Sequence, residues 1–183
     1  MKKLIRGVCL LISAAVFILP VNALAETAAE LDASVDRTLD LFAKEVDGAD
    51  AFLAQAAGYL VFPRVIKVGI GIGGETGEGS LIVGGKNAGY YRTASGSIGF
   101  QLGAQAKSIV IAFMAQESLD KFRNSTGWKV GVDGSVALID MGAGKAIDTT
   151  NIKDPVVGFI FGSKGLMYNL TLEGSKITKV EKT

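Results

Sequence analysis

Apolar residues recur at Leu31, Val35, Leu39, Phe42, Val46, Leu53 and Ala56. Spacings of mostly three and four place them on one helical face, so the pattern predicts helix over about 28–57. Gly48 interrupts the run and predicts two helices or a kink there. The opposite face is acidic, with Glu26, Glu30, Asp32, Asp36, Asp40, Glu45, Asp47 and Asp50 against Arg37 and Lys44. Helices that lie on membranes carry cations on the polar face, because lipid surfaces are anionic. This helix has the opposite sign, so its apolar stripe is expected to pack on the rest of the chain.

From Tyr59 the period changes to two. Tyr59–Phe62 is apolar and stops at Pro63. In Val65–Gly73, Ile66, Val68, Ile70 and Ile72 share one strand face, and Lys67, Gly69, Gly71 and Gly73 share the other. Further strands are predicted at Ser80–Val83, Gly89–Thr93, Ser97–Ala106, Ile109–Met114, Trp128–Ile139, Val156–Phe161, Leu166–Leu172 and Ser175–Val180. Glu75–Gly79 reads as a hairpin turn. Gln116–Phe122 reads as a short helix with Leu119 and Phe122 inward. Helices do not alternate with strands, which excludes a doubly wound parallel sheet. The predicted fold is α+β, with N-terminal helices packed on a glycine-rich, mostly antiparallel sheet or partly closed β-barrel.

The chain contains 24 glycines in 183 residues, about twice the ordinary usage of ~7%. Glycine inside a strand marks a bulge, a tight bend or close approach by another backbone or a ligand. The bare Gly69/Gly71/Gly73 face must therefore be covered by a helix, a sheet or an acyl chain.

The first 25 residues have a different character. Lys2, Lys3 and Arg6 precede an apolar run, Val8–Val21, and Ala23-Leu24-Ala25 supplies small residues for cleavage. This is the layout of a secretory signal peptide, and the run falls short of the ~20 residues of a membrane-spanning helix. Cys9 lies too early for a lipid-modified cleavage site. Cleavage after Ala25 is expected to release a single domain, 26–183, into the periplasm or medium. It removes three cations and the one cysteine, and takes the formal net charge from +1 to −2. Without cysteine the exported chain has no disulfide and depends on a hydrophobic core.

Composition narrows the chemistry. There is no histidine, so Ser-His-Asp and Cys-His arrangements are impossible after processing, and a zinc enzyme is improbable. Near-neutral charge excludes a polybasic nucleic-acid module. Gly69-Ile-Gly71-Ile-Gly73-Gly74 matches G-x-G-x-x-G, but it lies inside a strand instead of opening a helix. Ser118-Leu-Asp-Lys121 matches S-x-x-K without its companion motifs. Asp148-Thr-Thr-Asn151-Ile-Lys-Asp154 clusters oxygen ligands without calcium-loop spacing, and reads as a polar turn. No cofactor is implied, and no enzyme activity is expected.

Charge is distributed unevenly. Residues 51–183 carry a net +4, whereas 26–50 carry −6. Arg64, Lys67, Lys86, Arg92 and Lys107 lie in or beside the glycine-rich strands. Such cations attract anionic headgroups at ~1 kcal/mol each near a membrane; dispersed, solvated charge is the alternative.

Ala57-Gly58-Tyr59-Leu60-Val61-Phe62-Pro63 followed by Lys67-Val68-Gly69-Ile70-Gly71-Ile72-Gly73-Gly74 closely resembles the start of the SYLF lipid-binding domain, also called the Ysc-type actin-binding domain. The resemblance continues through Gly77-Glu78-Gly79, Gly99-Phe100-Gln101-Leu102-Gly103, Ser108–Met114, Gly162-Ser163-Lys164-Gly165-Leu166 and Leu172-Glu173-Gly174. It spans roughly residues 45–180. It implies binding of acidic phospholipids, actin binding in some fungal members, and no catalysis. An exported protein of bacterial type meets neither phosphoinositides nor actin. The expected partner is therefore another anionic phospholipid or a fatty acid. The motifs carry over Lys67 and Lys164 as candidate headgroup contacts, and Glu173 fits a structural ion pair. The alternative is a structural or protein-interaction module of the cell envelope that uses the acidic helix face.

Overall fold

The computed structural model describes residues 26–140, 153–165, 172 and 174–183. Residues 1–25, which the sequence reads as a leader, the Asp148–Asn151 part of the polar turn, nearly all of the predicted strand at 166–172, and Glu173 lie outside these residues.

Helix α1 spans Ala28–Glu45 and α2 spans Ala49–Leu53. Thr27 starts α1 with a capping box: its Oγ1 accepts from Glu30 N at 3.3 Å, and Thr27 N donates to Glu30 Oε2 at 2.9 Å. Two orphan donors of the first turn are thereby satisfied. Gly48, at φ 81°, turns the chain into α2, a conformation that side chains disfavour. The apolar stripe buries Leu31, Val35, Phe42 and Val46, as the helical periodicity predicts; Leu39, Leu53 and Ala56 are only half-buried, and past Gly48 it is Phe52 that turns inward. Phe42 packs between the rings of Phe159 and Phe161, at centroid distances of 5.1 and 5.2 Å.

Two strands dominate the body. β1 runs Gly58–Val83 and β2 runs Lys86–Phe113. They pair antiparallel from Val83↔Lys86 to Gly58↔Phe113. Glu75–Gly79 is strand, not the hairpin turn that its glycines suggest; the turn is Gly84-Gly85, both at positive φ. The predicted short strands on either side merge into these two. A straight strand of this length would reach roughly 85 Å at ~3.3 Å per residue, far beyond the ~30 Å of a small domain, so the ribbon must bend. It bends at Gly69–Gly73, where the register shifts between Ile70 and Ile72. A Cβ on Gly69 would lie 2.7 Å from the Gly73 Cα. The bare glycine face is therefore covered by the strand's own continuation. Beyond the bend, β1 doubles back on itself. A Cβ on Gly77 would lie 2.7 Å from the Arg64 carbonyl oxygen, and one on Gly79 would collide with that of Val61. Here glycine allows backbone to meet backbone.

The remaining elements are α3 (Gln116–Asn124), β3 (Trp128–Lys129), β4 (Ala137–Asp140), β5 (Val156–Gly165) and β6 (Lys176–Val180). The stretch predicted as one strand, Trp128–Ile139, is two short strands with a turn through Gly131 between them. Among the described residues the sheet has six strands. β1 lies beside β2 throughout, and the path β3-β6-β2-β5-β4 completes it. β4 and β5 form the parallel pair. The result is a strongly curled half-barrel with the N-terminal helices packed against it.

Two cores follow from the curl. Leu60, Phe62, Leu81, Ile109, Ile111 and Phe113 point inward to meet Leu119 and Phe122 of α3 and the Trp128 ring. Val61, Val110, Ala112, Val157, Phe159 and Phe161 point outward to meet α1 and α2. Covering both faces explains why Ile109–Phe113 is an unbroken apolar run.

Candidate functional site

The outer face of β1, from Ile66 into the bend, is not covered. Ile66 is 37% exposed, Val68 51%, Ile70 81% and Ile72 72%. These four apolar side chains form a ridge along one strand face. Single exposed apolar residues are ordinary, but a contiguous row marks an interaction surface. The alternation that aligns them with each other also sends Lys67 inward.

A groove of about 480 Å³ opens beside this ridge. Leu41, Glu45, Pro63, Arg64, Ala106, Lys107, Ser108, Gly162 and Lys164 line it. Register places Ile66 opposite Ala106, and Ala106 opposite Lys164. In-register neighbours share a sheet face, so Lys164 stands in the same row as the start of the ridge. Arg64 reaches the groove through a bulge, where the register skips from Phe62 to Val65. Pro63 contributes no N–H to a ladder there, and its carbonyl accepts from Ser108 Oγ at 2.9 Å.

The six cations singled out from the sequence thus separate. Arg64 and Lys164 are exposed and share the groove. Lys67 and Lys107 are buried on the inner face, at 4% and 2% exposure. Lys107 Nζ lies 3.0 Å from Glu75 Oε1 and donates to Oε2 at 3.2 Å. Arg92 is engaged by Glu78 at 2.5 Å, and Lys182 holds the other Glu78 oxygen at 2.6 Å. Burial pushes the Glu78 carboxyl up, but hydrogen bonds from Lys182 and Arg92 outweigh it and hold the group below its ordinary value. Lys86 is exposed just after the Gly84-Gly85 turn.

The acidic helix face also has a structural use. Asp32 accepts from Tyr90 Oη at 2.9 Å, Asn87 Nδ2 at 2.8 Å and Ser80 Oγ at 3.3 Å. These bonds fasten α1 to the ribbon. Burial, and then the bond to Asp32, raise the Tyr90 phenol above its ordinary value. Among the described residues there is no cluster of three potential metal ligands, and no helix long and apolar enough to cross a membrane.

An α+β half-barrel with a bare apolar ridge and a cationic groove has the features of a binding domain. The family model described as Ysc84, Las17-binding protein actin regulator, matches residues 94–183, the same family that the sequence motifs resemble. The matched segment takes in most of β2 and everything after it, including Lys107 and Lys164. A comparison with curated proteins returned no match.

Proposed function

We propose that the protein binds anionic phospholipid at a membrane surface, without catalysis, and that it does so after export to the periplasm or beyond. The observation that carries this reading is the exposed row Ile66, Val68, Ile70 and Ile72 beside the Arg64/Lys164 groove. Apolar side chains would enter the acyl boundary while the two cations hold headgroup phosphates at its rim. Export rests on the leader-like layout of residues 1–25.

Magnitudes rank the two contributions. Burying what is still exposed of the four side chains is worth roughly 5 kcal/mol, at ~1.5–3 kcal/mol per whole side chain. Two cations near an anionic surface add about 2 kcal/mol, and salt weakens them. The ridge therefore dominates affinity, and the cations select the lipid.

Co-sedimentation with phosphatidylcholine vesicles, with and without phosphatidylglycerol, tests the proposal. The double variant Ile70→Asp/Ile72→Asp is expected to lose about 100-fold in affinity for the phosphatidylglycerol vesicles. Arg64→Ala with Lys164→Ala is expected to lose about 30-fold and the preference for phosphatidylglycerol. Unchanged binding in the ridge variant would refute the reading.

A further inference from the structure

The inner face of the ribbon holds a polar cluster that the outer ridge does not use. Val65↔Lys107 and Lys67↔Gln105 are successive register pairs on that face, which makes the two lysines diagonal neighbours. Lys67, Glu75, Gln105 and Lys107 are each at most 6% exposed. Glu75 pairs with Lys107. Among the described residues, no hydrogen bond or ion pair reaches Lys67, and neither Gln105 Oε1 nor Glu75 Oε1 accepts a hydrogen bond. The cluster thus carries two cations, one anion and an idle amide. Buried charges are normally paired or bind an ion, so the missing member is an anion.

The cluster has an open edge. Gly103 lies on the same face, two residues before Gln105 and opposite Gly69. A Cβ added there would meet nothing within 4 Å. Gly103 is itself exposed, so the face opens to solvent two residues from Gln105.

We propose that this inner face is a second site, separate from the membrane-facing ridge, which takes one phosphate-type oxyanion, either free or on a lipid headgroup. Lys67 supplies the unshared positive charge. Lys107, shared with Glu75, supplies the second. Half a turn of the Gln105 amide presents its NH2 group as a donor. Lysine binds phosphate as a point charge and needs no fork geometry. Glu75 competes with the ligand for Lys107, which limits affinity and keeps the empty site from being a bare cation pair.

Thermal unfolding of the protein at constant ionic strength tests this, with chloride exchanged for inorganic phosphate, or with soluble dihexanoyl phosphatidylglycerol added. A midpoint that rises with inorganic phosphate identifies free phosphate as a ligand. A rise only with the short-chain lipid identifies the headgroup. In either case Lys67→Met is expected to abolish the rise. Glu75→Gln, which frees Lys107, is expected to reach the same rise at a concentration at least about tenfold lower. Ile70→Asp/Ile72→Asp is expected to leave the response intact, which separates this site from the surface reading. No rise with either probe, a rise that survives Lys67→Met, or an unaltered affinity in Glu75→Gln would each overturn the proposal.

Discussion

Gly79 shows how much one missing Cβ determines. Its α-carbon lies against the Val61 carbonyl, and a methyl there would overlap the oxygen. Backbone cannot move aside as a flexible side chain can, so Gly79→Ala is expected to cost more than ~3 kcal/mol, read from the urea midpoint. Gly96 is the control: a Cβ there meets nothing within 4 Å, and Gly96→Ala should change stability by less than about 1 kcal/mol. The sequence places Gly79 in a stretch of turn composition and Gly96 between two predicted strands, and says nothing of the difference in cost. What distinguishes them is the doubling back of β1, a contact between residues far apart in the chain. The same limit applies to Lys67 and the ridge. Alternation shows that Ile66, Val68, Ile70 and Ile72 share a face and that Lys67 opposes them. It does not show which face is inside, and ordinary hydrophobic burial gives the wrong answer for this stretch. Gln105 and Glu75 carried no signal at all, since each gains its meaning only from the partner that the bend brings near.

Among the elements, the helices were the most legible. The stripe from Leu31 to Val46 and the inward Leu119 and Phe122 follow from a period of 3.6, and the break follows from Gly48; the inward turn of Phe52 in place of Leu53 does not, because the break resets the phase of the helix. α1 also depends on its start. Thr27→Ala removes the oxygen that accepts from Glu30 N and half of the capping box. It is expected to lower stability by about 1 kcal/mol, measured by denaturant unfolding. The strands were legible as strands but not as continuous ones. Glu75-Thr-Gly-Glu-Gly has turn composition, yet in the fold it pairs with Gly77↔Thr93 and Glu78↔Arg92 in register. Its glycines serve close approach, and local composition cannot separate that use from a turn. The split of 128–139 was hidden for a related reason, since the turn through Gly131 interrupts a run of strand-forming residues.

At the scale of the molecule, the first and last described segments are fastened together. Ala28 N donates to the Thr183 carbonyl at 3.3 Å, Lys182 Nζ donates to the Glu26 carbonyl, and Lys182 also pairs with Glu78. Glu78 joins this junction to Arg92 on β2. Its carboxyl is held below the ordinary value in the fold, so the unfolded chain binds the proton more readily. The stabilisation is complete above about pH 4.3, the unfolded value, and is lost as pH falls through the lower folded value. Thermal midpoints measured downward from that pH are expected to drop. Glu78→Gln should start lower at neutral pH and show a shallower acid limb.

The Gly84-Gly85 turn has a consequence for how fast the chain folds. Val83↔Lys86 is the most local pair of the ribbon, and pairing can extend from it one rung at a time, with little loop entropy lost at each step. Both glycines adopt positive φ, as the tight turns that match strand twist require. If the turn nucleates the ribbon, Gly84→Ala and Gly85→Ala will slow refolding by nearly the whole of their equilibrium destabilisation and leave unfolding rates almost unaltered. Stopped-flow chevrons would show a displaced refolding arm and a fixed unfolding arm. The reverse pattern would place nucleation among the helices and β5 instead.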